Sequence, residues 1–236
     1  MSTPTVVLVH GAFAESASWN DVIKHLYENQ VTSVAVANPL RSVSGDAAYL
    51  RDVLDSIEGP VVLVGHSYGG FVITEGGGHP AVKALVYVSA FAPETGETAF
   101  ALSGKYPGSS LGDALEVHPV STGGNEFTIR RDLFHQQFAA DVPVQVAGLM
   151  GATQRPVTEK ALTDPIVTDG PAWKQAPSWF VWGELDLNIP AELQRFQAER
   201  AGAENAREIP GASHALSVSQ PVAVAEMILE AVKSVA

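Results

Sequence analysis

Ser67, Asp186 and His214 have the side-chain types that a hydrolytic serine needs, and each lies shortly after an apolar run. Ser67 sits in Gly65-His66-Ser67-Tyr68-Gly69, which matches G-x-S-x-G. A serine presented at a sharp strand-to-helix turn must adopt a strained backbone conformation with its hydroxyl exposed. The positions on either side need glycine, because a Cβ there would strike the neighbouring strand or helix. Gly65 and Gly69 fill those positions, and Gly70 adds clearance. A serine hydroxyl becomes a strong nucleophile only when a base takes its proton and an acid orients the base. His214, in Gly211-Ala212-Ser213-His214, and Asp186, in Gly183-Glu184-Leu185-Asp186, supply those types, with Glu184 a rival acid close by.

Attack on a carbonyl also needs donors for the oxyanion that develops. The helix expected after Ser67 points its free N–H groups and positive end at the site, which makes the Tyr68 N–H one donor. The loop His10-Gly11-Ala12-Phe13 follows the first strand and is the natural source of the second, the N–H of Ala12. Phe13, Phe91, Phe134 and Phe138 are the candidate substrate-binding residues. His10 reads as a hydrogen-bonded scaffold residue, and His66 as a side chain turned away by the tight turn. His118 and His135 read as bystanders on an irregular stretch.

The elements that must position these residues alternate. Thr5 to Val9 reads as a buried strand and Ser18 to Tyr27 as an amphipathic helix. Thr32 to Ala37 is a strand, and Asp46 to Ile57 a helix with Asp46 as its N-cap. Val61–Val64 is a strand, Tyr68 to Gly76 a helix and Val82 to Ser89 a strand. This alternation implies a parallel sheet covered on both faces. Later, Ser178 to Trp182 is a strand, Ala191 to Ala201 a helix, Ala206 to Ile209 the last strand, and Pro221 to Val235 a closing helix that starts on proline. Asp186 and His214 then stand beyond strand ends, as Ser67 does, where open α/β sheets gather their ligand-binding loops.

The rhythm stops between residues 93 and 177, where Gly, Pro, Ser and Thr are frequent and Leu133–Phe138 and Val144–Met150 read as short helices. A long insertion of this kind reads as a helical lid, and its Phe100, Phe134, Phe138, Leu149 and Met150 are apolar surface in need of a partner. The expected organisation is one domain over residues 1–236, with a core of 1–92 and 178–236 and a lid of 93–177.

Composition narrows the function classes. A length of 236 residues with 46% hydrophobic residues suits a globular α/β domain with a sizeable core. A formal net charge of −12 argues against nucleic acid and anionic membrane surfaces as partners. With no cysteine there is no thiolate metal site and no thiol catalysis, and no metal or cofactor is implied. The segment Met1-Ser2-Thr3-Pro4-Thr5, followed by Val-Val-Leu-Val, has neither a basic region nor a long apolar run. No signal peptide or transmembrane helix is expected, which leaves the cytoplasm as the default compartment.

Taken together, these motifs resemble the α/β-hydrolase superfamily along nearly the whole chain. His10-Gly11 matches its oxyanion loop, Gly65 to Gly69 its nucleophile elbow, Gly183 to Asp186 with Pro190 its acid loop, and Gly211 to His214 its histidine loop. The order Ser, Asp, His is the order of that family. The Leu-Val-His-Gly-Ala start and the small size are similar to the plant methylesterase and hydroxynitrile lyase group and its bacterial esterase relatives. The resemblance implies a shortened, mainly parallel sheet of about six strands flanked by helices. It also implies Asp186 as the acid. Some members place the acid after the preceding strand, but the nearby carboxylate there is Glu94, behind Pro93. Lyases of the group carry a lysine directly after the catalytic histidine and a threonine after the oxyanion-loop histidine; here those positions hold Ala215 and Gly11, which favours an esterase. Ser67 at the elbow excludes the aspartate-nucleophile chemistry of dehalogenases and epoxide hydrolases. The implied activity is hydrolysis of a small-molecule ester by Ser67, His214 and Asp186. A small-molecule receptor on a hydrolase scaffold and a cofactor-independent lyase or oxygenase stand as alternatives. The oligomeric state is left open, a homodimer included.

Overall fold

In a computed structural model of the chain, which describes residues 3–121 and 123–235, the apolar runs form one parallel sheet. The first strand, β1 (Thr5–Val9), leads through a 3-10 turn at Ser16–Trp19 into helix α1 (Asn20–Glu28). Then follow β2 (Ser33–Val36), α2 (Val43–Asp55), β3 (Val61–His66), α3 (Gly69–Gly76) and β4 (Val82–Val88). Next comes the insertion: α4 (Ala99–Ser103), α5 (Leu111–Ala114), β5 (Leu115–Pro119), β6 (Asn125–Ile129), α6 (Arg131–Phe138), α7 (Val144–Thr153), β7 (Val157–Thr158) and α8 (Glu159–Thr163). The sheet resumes with β8 (Ser178–Gly183), α9 (Ala191–Ala201) and β9 (Asn205–Ile209), and the chain closes with α10 (Leu216–Ser219) and α11 (Pro221–Val235).

Six strands lie in the order β2-β1-β3-β4-β8-β9, every neighbouring pair parallel. The expected shortened sheet is therefore present. The β-strand period of two divides each apolar run between two cores. Val6 and Leu8 of β1, Val62 and Val64 of β3, and Val86 and Val88 of β4 pack with Trp19, Val22 and Leu26 and with the apolar face of α11. Val7, Val9, Leu63, Leu85 and Tyr87 face the other way, toward α2, α3 and α9. Burial on both faces is why these strands read as unbroken apolar runs rather than alternating ones.

Register brings the functional loops to one edge. Val9 pairs with Gly65, His66 with Val88, and Val88 with Val181, so the chain leaves β1, β3, β4 and β8 side by side. Gly183 pairs with Ile209, which adds the loop after β9.

Two expectations need correction. Asp46 does not cap α2; Ser42 does, with its Oγ accepting the Gly45 N–H at 3.1 Å. Asp46 lies inside the first turn and is buried. The insertion is not purely helical either: β5, β6 and β7 form an antiparallel sheet. These strands are short and mostly half exposed, so they lack the sustained apolar alternation by which a strand is recognised.

The elbow glycines are required by contact with backbone. A Cβ on Gly69 would stand 2.4 Å from the carbonyl oxygen of Val9, and one on Gly65 2.8 Å from that of Gly69. Gly69→Ala should therefore lower stability by about 1–3 kcal/mol or more, because neither strand nor helix backbone can yield. In a chain of this length that is a drop in Tm of about 2–4 °C per kcal/mol in a thermal melt, and an unchanged Tm would contradict the packing described.

Candidate active site

Ser67 occupies the turn between β3 and α3 with φ +54°, the left-handed region that a non-glycine residue enters at a cost. Its backbone is held on three sides: Ser67 N–H to Val88 O at 3.3 Å, Gly70 N–H to Ser67 O at 2.9 Å, and Phe91 N–H to Ser67 O at 3.3 Å. Gly11 passes so close that a Cβ there would lie 2.5 Å from the Ser67 Cβ. The structure thus brings the His10–Phe13 loop directly against the serine.

His214 and Asp186 meet Ser67 from the loops after β9 and β8. His214 Nδ1 lies 2.7 Å from Asp186 Oδ2, and His214 Nε2 lies 2.9 Å from Ser67 Oγ. A carboxylate only accepts, so Nδ1–H donates to Asp186 and leaves the Nε2 lone pair to accept the serine hydroxyl. Both side chains are almost fully buried. Asp186 also accepts the N–H groups of Asn188 at 2.8 Å and Ile189 at 2.9 Å, and the Gln194 amide at 3.1 Å. Gln194 was not singled out by the sequence reading. The local signal for it is Pro190, which starts α9 and brings the first turn of that helix back over the acid loop.

The rival residues are engaged elsewhere. Glu184 accepts the Gly211 N–H at the surface, and Glu94 pairs with Lys174 at 2.6 Å. His10 bonds Gly11 O through Nδ1, and its Nε2 accepts the Asn38 N–H, so it is a scaffold residue. Its burial lowers its pKa to about 4. His66 donates Nε2–H to the carbonyl oxygen of His214 at 3.1 Å, with its ring 4.8 Å from that of His214. Burial, and then the neighbouring charge of His214, hold His66 well below the usual imidazole range, so it stays neutral. His118 bonds Thr128, and His135 lies against Val142 O.

A cavity of about 330 Å³ opens above Ser67 and His214. Ala12, Phe13, Tyr68, Phe91 and Phe138 line it, together with insertion residues such as Phe100 and Leu111. Among the described residues its wall carries no Asp, Glu, Lys or Arg. The N–H groups of Ala12 and Tyr68 have no protein acceptor among the described residues, whereas the neighbouring Phe13 N–H is bonded to Arg155 O. Tyr68 is anchored from behind: its hydroxyl donates to Asp46 Oδ2 at 2.9 Å, and Asp46 also accepts the Arg41 N–H. Burial pushes the Tyr68 phenol well above its ordinary pKa, so it keeps the proton it donates.

Phe134, expected to bind substrate, does not line the cavity. It is buried behind Phe138, their ring centroids 5.1 Å apart, and packs against Gly151. Helix period explains this: residues four apart share a face, and the nearer one covers the other. Phe138 itself meets the His214 ring edge-on at 4.9 Å. Among the described residues no cluster of side chains could hold a metal ion, and no helix is long and apolar enough to cross a membrane.

The profile of the alpha/beta hydrolase family matches residues 6–227. The carbendazim hydrolyzing esterase of Nocardioides sp. (strain SG-4G) is 37% identical over 113 residues, which are 41% of this chain and 46% of that protein, so less than half of its length is matched. The pyrethroid hydrolase of Sphingobium wenxiniae is 29% identical over 254 residues, covering 98% of this chain and 88% of that protein. Among solved structures, a methylesterase from Arabidopsis aligns with a TM-score of 0.82 at 17% identity, covering 98% of this chain and 99% of its own. The neighbours are thus bacterial esterases and plant methylesterases, as the resemblance implied.

The buried neutral histidines make stability depend on pH. The unfolded chain protonates His10 near 6.5, but the folded chain does so only near 4, so the unfolded state gains the proton first and stability falls as pH drops through that window. Between pH 6.5 and 5, above the main carboxylate range, His10 alone should cost about 1.5 kcal/mol. Urea unfolding across that range should show the loss, and His10→Gln should reduce it. An equal loss in both proteins would place the effect elsewhere.

Proposed function

Since the chain belongs to the alpha/beta hydrolase family, we propose that it is a serine hydrolase that cleaves small to medium uncharged carboxylic esters through an acyl-enzyme. The observation that supports this most is the hydrogen-bonded series Ser67–His214–Asp186 at the floor of an apolar cavity. Relatives named esterase and hydrolase support ester hydrolysis as the reaction.

In this reading the substrate carbonyl lies over Ser67. Ser67 Oγ attacks the carbonyl carbon while its proton passes to His214 Nε2. The imidazolium formed is stabilised by Asp186 through Nδ1–H. The carbonyl oxygen, now an oxyanion, takes the free N–H groups of Ala12 and Tyr68. His214 then protonates the departing alcohol oxygen, which leaves the acyl group on Ser67. A water molecule repeats the sequence, with His214 again as base, and releases the acid. His66 is a poor base, because burial lowers its affinity for a proton and its Nε2–H is committed to the His214 carbonyl, while the Ser67 hydroxyl is bonded to His214. Ala215, buried directly after the histidine, offers no cation for a cyanide leaving group, which favours hydrolysis over cyanohydrin cleavage. Segment 93–177 acts as the lid over a core of 1–92 and 178–236, and supplies much of the wall that selects substrate. Absence of charge in that wall favours neutral substrates, because an ionised group would lose its hydration without gaining a partner.

Ser67→Ala should abolish fluorophosphonate labelling and nearly all p-nitrophenyl ester turnover while leaving the thermal melt unchanged. Asp186→Asn should cost about four orders of magnitude in kcat, and Glu184→Gln little. Intact-protein mass spectrometry that placed the adduct elsewhere, or the reverse ranking of the two acids, would refute the assignment. A receptor on this scaffold would bind the ester without repeated turnover.

The wall predicts a second contrast. Phe138→Ala should shift the preferred ester toward larger groups, since apolar pockets discriminate by about 1–3 kcal/mol per methylene. Phe134→Ala should leave the chain-length profile in place and lower stability by about 3–5 kcal/mol as a core truncation. A profile unchanged in Phe138→Ala would remove that residue from the substrate pocket.

A further inference from the structure

The last turn of α6 grips the acid loop and the histidine loop at once. Gln137 is buried and spends its side chain on these contacts. Its Nε2 donates to Leu187 O at 3.0 Å and to Asn188 Oδ1 at 3.1 Å, and Asn188 Nδ2 returns a bond to Gln137 O at 3.3 Å. Its Oε1 accepts from Ser110 Oγ at 2.9 Å. One residue further, the Phe138 carbonyl accepts the Ala215 N–H at 3.0 Å and the Ser213 hydroxyl at 3.4 Å. Leu187 is the residue after the acid, and Ser213 and Ala215 bracket His214. Two successive residues of one helix thus bind both sides of the Asp186–His214 pair.

We propose that Gln137 is a positioning residue: through α6 it sets where the acid loop stands relative to the histidine loop, and so keeps Asp186 on His214. The inference rests on the reading of Ser67, His214 and Asp186 as the catalytic residues. Asn188 is the link that gives Gln137 its leverage. Its side chain is tied to Gln137, while its backbone N–H holds Asp186 Oδ1 at 2.8 Å. A loop freed from Gln137 carries that backbone donor, and the carboxylate with it, away from a bond of 2.7 Å to His214. Mispositioning of about 1 Å by a residue remote from the chemistry can cost on the order of 100-fold in rate. Gln137 does not itself line the cavity, whereas its partner Asn188 does, so Gln137 is the position at which positioning is separable from substrate binding.

The test compares Gln137→Leu, which keeps the volume and removes the amide, with the parent enzyme, using p-nitrophenyl butyrate and active sites counted with a fluorophosphonate. Gln137→Leu should lower kcat per titrated site by about 10- to 100-fold with KM within about twofold. Asn188→Ala removes the bond between the two amides from the other side and should lower kcat per titrated site in the same way, non-additively in the double variant. Parent enzyme labelled at Ser67, with kcat unmoved in Gln137→Leu, overturns this proposal alone. Labelling at another residue overturns the catalytic reading and this proposal with it. Failure of both single variants to fold would make the tie a stability element and overturn the positioning role.

Discussion

The conformation of Ser67 is the constraint on which the rest of the structure depends. A non-glycine residue at φ +54° carries strain on the order of 1–3 kcal/mol, and it persists only where the surroundings determine it. Here the determination comes from three strands. β3 delivers the residue, the end of β4 bonds its N–H through Val88 and its carbonyl through Phe91, and the loop after β1 lies against its Cβ at Gly11. The sheet order places β1 and β4 on either side of β3, so these contacts are a direct consequence of strand order.

Burial of charge is the second constraint. A carboxylate removed from water is tolerated only when its oxygens are hydrogen-bonded. Asp186 meets this with four donors: two backbone N–H groups of its own loop, the Gln194 amide and His214. The loop that carries the acid is therefore folded around the charge. The buried histidines meet the same requirement by staying neutral. His10 and His66 are each held below the usual imidazole range by burial, which leaves His214 as the imidazole that both reaches the serine and faces a carboxylate.

The insertion is attached to the core at places that matter for the site. Phe13 N–H bonds Arg155 O, so the insertion holds the His10–Phe13 loop. Thr158 Oγ1 bonds Arg41 O at 2.7 Å, and Arg41 pairs with Glu126 at 2.8 Å. The same segment of chain, after β2, gives Asp46 the backbone N–H of Arg41 alongside the Tyr68 hydroxyl. With the α6 contacts, the loops after β1, β8 and β9 are each hydrogen-bonded to the insertion. The roof over the cavity and the posture of the loops beneath it are thus mechanically one structure.

Much of this was legible in the chain alone. That Ser67, Asp186 and His214 would meet could be read because their loops are short: a few residues separate each from the end of an apolar run, so the strand order carries them to one edge with little freedom. The glycines around Ser67 were legible for the same reason, since close approach of backbone admits one residue type. The family and its parallel sheet followed from the alternation of strands with helices. What the tertiary structure decided depends on contacts between residues far apart in sequence. Asp46 looked like a helix cap because its nearest neighbours are local; that it receives the Tyr68 hydroxyl is settled by the packing of α2 on α3. Phe134 and Phe138 are equivalent in helical period, and only the docking of α6 buries one behind the other and turns the second to the cavity. The short half-exposed strands of the insertion have no periodic signal of their own, and pair because the chain returns to them. Gln137 gave no signal at all, because a polar residue between two phenylalanines acquires its partners, Leu187 and Asn188, only when segments 50 residues apart are brought together, and sequence spacing carries no information about a contact of that range.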